Sequence, residues 1–285
     1  MRIICPVKRV PDTAAAKRLH ADGTLDRESV ETMLNANDEW AIEEALRIRE
    51  GGVDAELIVL CMGPEAAAGT IRKALSYGLD GAIHVSDPAL KGSDAAATAR
   101  VLAAALRSEP FDLVLMGNQS SDARTMLVPV MLAELLGVPS LTYAKRLELA
   151  GGSAGSGGTG DTGGSGGMVR VDRETPGGHQ TVEADLPAVV SVVEAINEPR
   201  YPSFRGIMAA KSKPVSTRSL ADLGLDPVTV GLEGSWTRVL EVTPRPPRLA
   251  GRTVTDDGSG AVGARALADL LAARGLIETT AGGAA

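Results

Sequence analysis

The stretch Asp112-Leu-Val-Leu-Met-Gly117-Asn-Gln-Ser-Ser-Asp122 passes directly from an unbroken apolar run into amides, small hydroxyls and an acid. Consecutive apolar side chains without polar alternation fit a strand that is covered on both faces. The polar run then leads into a helix expected over residues 125–136. Backbone N–H groups at a strand-to-helix turn, with hydroxyls beside them, can hold a phosphate without any cationic side chain. Capping by Ser121 or Asp122 is the simpler use of the same residues.

The same pattern repeats upstream. Short apolar runs at residues 2–7, 55–61 and 82–85 alternate with helical patterns. These patterns cover 37–50, an Ala-rich segment after Gly63-Pro64 that reaches Tyr77, and 94–106 with Ser93 as the expected N-cap. Fully apolar strands alternating with helices imply an α/β fold: a parallel twisted sheet with helices on both faces, Rossmann-like. Ligands of such sheets bind outside the carboxyl ends of the strands, at the switch point. The candidate loops are therefore 6–12, 62–65, 86–93 and 117–125.

Beyond residue 141 the pattern changes. Strands are expected at 141–149, 169–174 and 180–184, with a Gly-, Ser- and Thr-rich tract at 151–167 read as a flexible β-hairpin tip or, second, as a linker. A further apolar strand follows at 186–193. Residues 195–211 carry Tyr201, Phe204, Ile207 and Met208 among prolines and basic residues. They read either as a contact surface or as a loop tucking its apolar groups beneath itself. An extended Pro/Arg-rich segment at 245–250, a flexible segment at 256–260 and an Ala/Leu helix at 261–276 close the chain.

Bulk composition excludes several classes. The chain has 285 residues, 44% hydrophobic and 23% charged, which is ordinary for a globular protein. Aromatics at 2% and a net charge of −7 argue against a nucleic-acid binder. The two cysteines, Cys5 and Cys61, sit in apolar runs and read as reduced core thiols. His20, His84 and His179 lie too far apart in sequence to suggest a zinc site. No secretory signal or membrane-spanning run is evident, so the expectation is a cytoplasmic protein without membrane insertion. The first strand is followed by Lys8-Arg9 and not by a Gly-x-Gly-x-x-Gly fingerprint, which disfavours an NAD-linked oxidoreductase. Lys8-Arg9 itself reads as a solvated pair, a phosphate neutraliser or a contact for an acidic partner. A free-standing adenine-nucleotide (ATP) binding protein of similar α/β fold is a further reading, but it calls for a glycine-rich phosphate loop that is missing.

Taken in order, several segments resemble the electron transfer flavoprotein beta subunit family. They are Val7-Lys-Arg-Val-Pro-Asp12, Asn35, Glu39-x-Ala41-Ile-Glu-Glu-Ala45, Gly63-Pro64, Ile71-Arg-Lys-Ala-Leu75 and Asp112-Leu-Val-Leu-Met-Gly117-x-Gln119. Leu186-Pro-Ala-Val-Val190, Asn197-Glu-Pro-Arg-Tyr201 and Ile207-Met-x-Ala210-Lys211 complete the set. The likeness spans residues 1–225 apart from the Gly-rich tract. It implies a nucleotide-binding domain over 1–225 and a C-terminal arm and helix over 226–285 that dock on an alpha subunit. The resemblance further implies a heterodimer that relays electrons from acyl-CoA or related dehydrogenases, as in fatty acid oxidation, to a quinone oxidoreductase. FAD would sit mainly on the alpha subunit and a structural AMP on this chain. No autonomous catalytic site is expected.

By matching positions, the resemblance assigns cofactor contacts to Pro6, Asn35, Ala36, Asn37, Asp38, Met62 and Gly63. It also assigns them to Gly117, Asn118, Gln119, Ser120, Ser121, Asp122, Ala123, Arg124, Thr125, Met126, Leu127 and Val128. Partner contacts fall on Glu174, which would meet an arginine of the alpha subunit, and on a recognition loop over 195–211. That loop carries Asn197, Glu198, Pro199, Arg200, Tyr201, Phe204, Ile207 and Met208. The chain departs from the family where Met126, Leu127 and Val128 replace side chains able to hydrogen-bond a phosphate. It departs also at Thr13 and Asn37, where some relatives place aromatics, and at Phe204, where leucine is frequent.

Overall fold

Strand β1 (Arg2–Val7) is buried along its length and sends alternate side chains to opposite faces. Two short strands, β2 (Arg9–Pro11) and β3 (Thr32–Leu34), pair antiparallel beside it. The chain then runs through α1 (Ala36–Glu50), β4 (Glu56–Met62), α2 (Ala68–Ser76), β5 (Gly81–Val85), α3 (Ala95–Arg107), β6 (Leu113–Gly117) and α4 (Val128–Leu136). Next come β7 (Ser140–Ala150), β8 (Met168–Thr175), β9 (Gly178–Asp185), β10 (Ala188–Val192), α5 (Phe204–Ala210), β11 (Val215–Arg218) and α6 (Ala261–Ala273). This computed structural model describes residues 1–15, 17–150, 167–243, 246, 251 and 253–277. The Gly-rich tract, except Gly167, and most of the 245–250 segment lie outside the described residues.

Among the described residues nine strands form one sheet, in the order β11-β5-β4-β1-β6-β10-β7-β8-β9. Pairing is parallel from β11 to β7 and antiparallel across β7, β8 and β9. Ile3, Cys5 and Val7, with Leu57, Val59 and Cys61, pack against Ile42 and Leu46 of α1 and Ile71 and Leu75 of α2. Ile4, Ile58, Leu60 and Val114 face the other way, onto Val101, Leu102 and Leu106 of α3 and Leu132 of α4. Chain order moves outward from β1 through β4 to β5, then returns to β6 on the other side. The switch point therefore lies between β1 and β6.

Several boundaries differ from the sequence expectation, each for a local reason. Helix α3 is capped by Asp94, whose carboxylate accepts from the Ala97 N–H at 2.9 Å. Ser93 instead donates to Leu90 O and accepts from the Gly231 N–H. The helix expected from residue 125 begins at Val128, because Arg124 and Met126 take left-handed backbone (φ 51° and 57°). Neither Ser121 nor Asp122 reaches that helix to cap it. Within 195–211 lies a short helix, α5, capped by Ser203. The polar edge strand β11 lacks the apolar run that marks the other parallel strands.

Two compact units divide the chain at Glu241. Residues 226–241 belong to the first because Asp94 accepts from the N–H groups of Trp236 and Thr237, at 2.8 and 2.9 Å. Arg100 adds a bond to Gly234 O and lies over the Trp236 ring. In the second unit, α6 follows Gly260 at φ 75°, and Asp256 gathers the N–H groups of Gly258, Gly260 and Gly263. None of the α6 side chains is buried. No helix among the described residues is long and apolar enough to cross a membrane.

Cys5 and Cys61 are free and fully buried on neighbouring strands. Burial, reinforced by the nearby Asp38 charge, pushes both thiols up to about 12. Since the thiolate is the reactive form, both should resist a disulfide reagent at pH 8 in the native chain and both should react in denaturant. Rapid native labelling of either would contradict this packing.

Candidate functional site

The crevice opens because β1 and β6 part at their carboxyl ends. They pair only at Ile3 and Ile4, and Pro6, with no N–H, cannot extend the ladder. Gly117 ends β6 against the start of α1: a Cβ there would lie 2.7 Å from the carbonyl carbon of Asn37 and from Asp38 Oδ1. Any larger residue would push helix and loop apart.

Asn35 joins the three segments that meet here. Its Nδ2 donates to Asp38 Oδ1 and to Gln119 O, both at 2.9 Å, and its Oδ1 accepts from the Ser121 N–H at 3.0 Å. Its backbone N–H reaches Lys8 O. Asn37 Nδ2 donates to Asn118 Oδ1 at 2.9 Å, and the Asn118 N–H continues to Val192 O. Within this dense network Gln119 Oε1 is buried and has no hydrogen-bond partner among the described residues.

Two carboxylates in the crevice are driven in opposite directions. Asp38 is buried and accepts from the Lys8 N–H at 2.8 Å, but burial prevails and raises its carboxyl to about 7. Burial would raise Asp122 as well. Lys8 Nζ at 2.8 Å and Arg27 overcome it and hold Asp122 well below the usual carboxylate range. Lys8 is therefore ion-paired and not a free surface cation. Arg9 bonds Thr32 and Arg27 O.

Past Asp122 the loop changes character. Ala123, Arg124, Thr125, Met126 and Leu127 are exposed and form the rim. Arg124 holds the loop through Ser120 O and Ser121 O. Left-handed Met126 is followed by right-handed Leu127 (φ −95°, ψ −30°), and no side chain caps the helix that starts at Val128. Alternation of this kind can turn successive N–H groups to one side, as in anion-binding nests. Met62 and Gly63 end the neighbouring strand β4, where the Gly63 N–H bonds Val85 O and His84 Nε2 donates to Gly63 O.

Sequence reasoning missed two residues of the crevice. Arg27 comes from an irregular stretch that gave no periodic signal. Tyr143 is the extra residue of a bulge in β7, at φ 60°, with its hydroxyl 3.1 Å from Met126 Sδ.

Of the partner-contact residues, Tyr201 and Phe204 are 94% and 81% exposed, and Ile207 and Met208 also face solvent. The loop therefore does not tuck its apolar groups under itself. Asn197 and Arg200 bond α1. Glu198 and Pro199 lie between them. Glu174, exposed on β8, accepts from Lys145 Nζ at 2.7 Å, and His179 stands nearby.

A family model described as the electron transfer flavoprotein domain matches residues 22–223. The chain belongs to the electron transfer flavoprotein family. It is 44% identical over 264 residues to the electron transfer flavoprotein subunit beta of Mycobacterium tuberculosis, covering 90% of this chain and 94% of that one. It is 34% identical over 271 residues to the Megasphaera elsdenii subunit beta, covering 92% and 95%. It is also 34% identical over 256 residues to the caffeyl-CoA reductase-Etf complex subunit CarD of Acetobacterium woodii, covering 90% and 92%. As an electron transfer flavoprotein chain it serves a flavin-based carrier system, and its crevice occupies the switch point of the sheet.

The Asp38 carboxyl sets a pH dependence whose sign follows from its raised value. Between about pH 4 and pH 7 the native chain holds a proton that the unfolded chain has lost, so stability falls as pH rises through that window. Relative to Asp38→Asn, the wild-type chain should lose roughly 1–4 kcal/mol across the window and stay level above it. Urea midpoints measured at each pH check this, and parallel curves for the two proteins would refute it.

Proposed function

We propose that this chain is the beta subunit of a heterodimeric electron transfer flavoprotein. With an alpha subunit it relays electrons from acyl-CoA-type dehydrogenases to a quinone oxidoreductase. One observation carries the reading: Tyr201 and Phe204 stand almost bare beside a mostly parallel sheet whose switch point lies between β1 and β6, the place where ligands of such sheets bind. Bare aromatics on a fixed mount suit docking, since buried aromatic anchors supply most of an interface's energy. The printed name of the Acetobacterium relative, a subunit of a complex with a CoA-ester reductase, supports a CoA-linked partner class.

In this reading the crevice holds AMP. The buried acceptor Gln119 Oε1, without a hydrogen-bond partner among the described residues, suits a base with donor groups. The backbone concavity from Met126 to Val128 suits a phosphate and makes side-chain donors at those three positions unnecessary. The AMP plays a structural part, and the FAD, carried mainly by the alpha subunit, supplies the redox chemistry. This chain's own residues bind, orient and dock, and none acts as acid, base or nucleophile. Glu174 would meet an arginine of the alpha subunit in competition with Lys145. The arm with α6, which exposes Leu267 and Leu270, would dock on the same subunit.

Co-expression with an alpha subunit should give a yellow complex, whereas the chain alone should be colourless. Denaturing the complex and separating the released nucleotides should yield FAD and AMP. Release of ATP, or turnover of a substrate by the isolated chain, would sink the reading. Phe204→Ala should weaken coupling to the donor dehydrogenase by about 2 kcal/mol or more, roughly 30-fold, while leaving the heterodimer intact. Unchanged electron-transfer kinetics would refute Phe204 as the anchor.

A further inference from the structure

The exposed anchor is held by a clamp. Arg200 Nε and Nη2 fork onto Glu43 Oε2 and Oε1, both at 2.8 Å, and the Arg200 N–H adds a third bond to Glu43 at 3.2 Å. Nη1 and Nη2 also reach Glu50, at 2.6 and 2.8 Å. Glu43 and Glu50 lie two turns apart on α1 and so share one face of it. Glu43 is buried, and Arg200 is its only hydrogen-bond partner among the described residues. Every guanidinium nitrogen of Arg200 is engaged within the chain.

The far end of the loop is tied as firmly. Arg72 Nη1 donates to Ala210 O at 2.7 Å and to Lys213 O at 2.8 Å. Between the ties, Gly206 lies against α2 so closely that a Cβ would stand 2.3 Å from Ser76 O. Pro199 and Pro202 fix φ on either side of Tyr201. Helix α5 has seven residues, too few to persist in water by itself, so its shape depends on these attachments.

We infer that Arg200 is a positioning residue: through Glu43 and Glu50 it holds the recognition segment on α1, so that Phe204 meets the dehydrogenase already ordered. This rests on the reading of Phe204 as the anchor. Arg200 contributes through the geometry of its fork, which a lysine cannot reproduce although it keeps the charge. Without the fork the segment must order itself on docking, and that cost falls on association and not on the electron-transfer step.

The test uses the complete heterodimer, with an acyl-CoA dehydrogenase and its acyl-CoA as donor and flavin absorbance as readout. Arg200→Lys should raise the half-saturating heterodimer concentration about 3- to 10-fold at an unchanged limiting rate. Glu50→Gln, which leaves the Glu43 fork in place at a position where Glu50 is 54% exposed, should raise it less. Amide exchange in residues 204–210 should quicken in Arg200→Lys. In a Phe204→Ala background Arg200→Lys should add nothing, because Arg200 acts through the anchor. Additive effects, a fall confined to the limiting rate, or unchanged exchange and saturation would each overturn the clamp. If Phe204→Ala alone changes nothing, the anchor reading fails; if it weakens saturation while both clamp variants behave as wild type, only the clamp fails.

Discussion

The crevice depends on one side-chain amide. Asn35 is 1% exposed and bonds the start of α1, the loop after β6 and, through its own N–H, the end of β1. A buried amide whose hydrogens and carbonyl oxygen are all paired specifies position far better than apolar packing, because a shift of any partner leaves a polar group unsatisfied. Gly117 makes the arrangement possible by letting β6 approach α1 without a Cβ. These two residues fix the start of α1, and Ile42 and Leu46 seat the rest of it on the sheet.

That position has consequences along the whole helix. Helix α1 is 15 residues long, about 22 Å at 1.5 Å per residue. Its first turn carries Asn37 and Asp38 into the crevice, and its later turns carry Glu43, Glu44 and Glu50 to the loop that contains Asn197 and Arg200. One rigid element thus fixes both the switch-point crevice and the segment that exposes Tyr201 and Phe204.

Much of the fold could be read from the chain because fully apolar strands alternated with helices of apolar periodicity. The runs around Ile3, Val59 and Val114 predicted central strands, and the order of strands and helices predicted a switch-point site. What stayed hidden depends on distance along the chain. Nothing near Arg27 in sequence indicates that it pairs with Asp122, 95 residues away. Arg200 is assigned to a partner contact by the resemblance of its segment, and nothing near it in sequence indicates that its nitrogens bond carboxylates 150 or more residues earlier. Strand β11 and helix α5 are short and polar or proline-flanked, and tertiary contacts impose structure that local propensity does not favour.

The charge arrangement around Asp122 explains how the loop could lose its side-chain donors and still suit an anion. Lys8 and Arg27 share the single carboxylate of Asp122, which holds both in place and leaves the trio with a net positive charge that favours an anion nearby. At the rim itself the groups suited to a phosphate are backbone: the alternation at Met126 and Leu127 and the uncapped start of α4. Backbone donors ask little of side-chain identity, so methionine, leucine and valine are admissible there. The constraint moves to conformation, where Met126 must hold φ 57° without being glycine. The Tyr143 hydroxyl at its sulfur, projected by a bulge with its own left-handed backbone, supports that strained residue from outside.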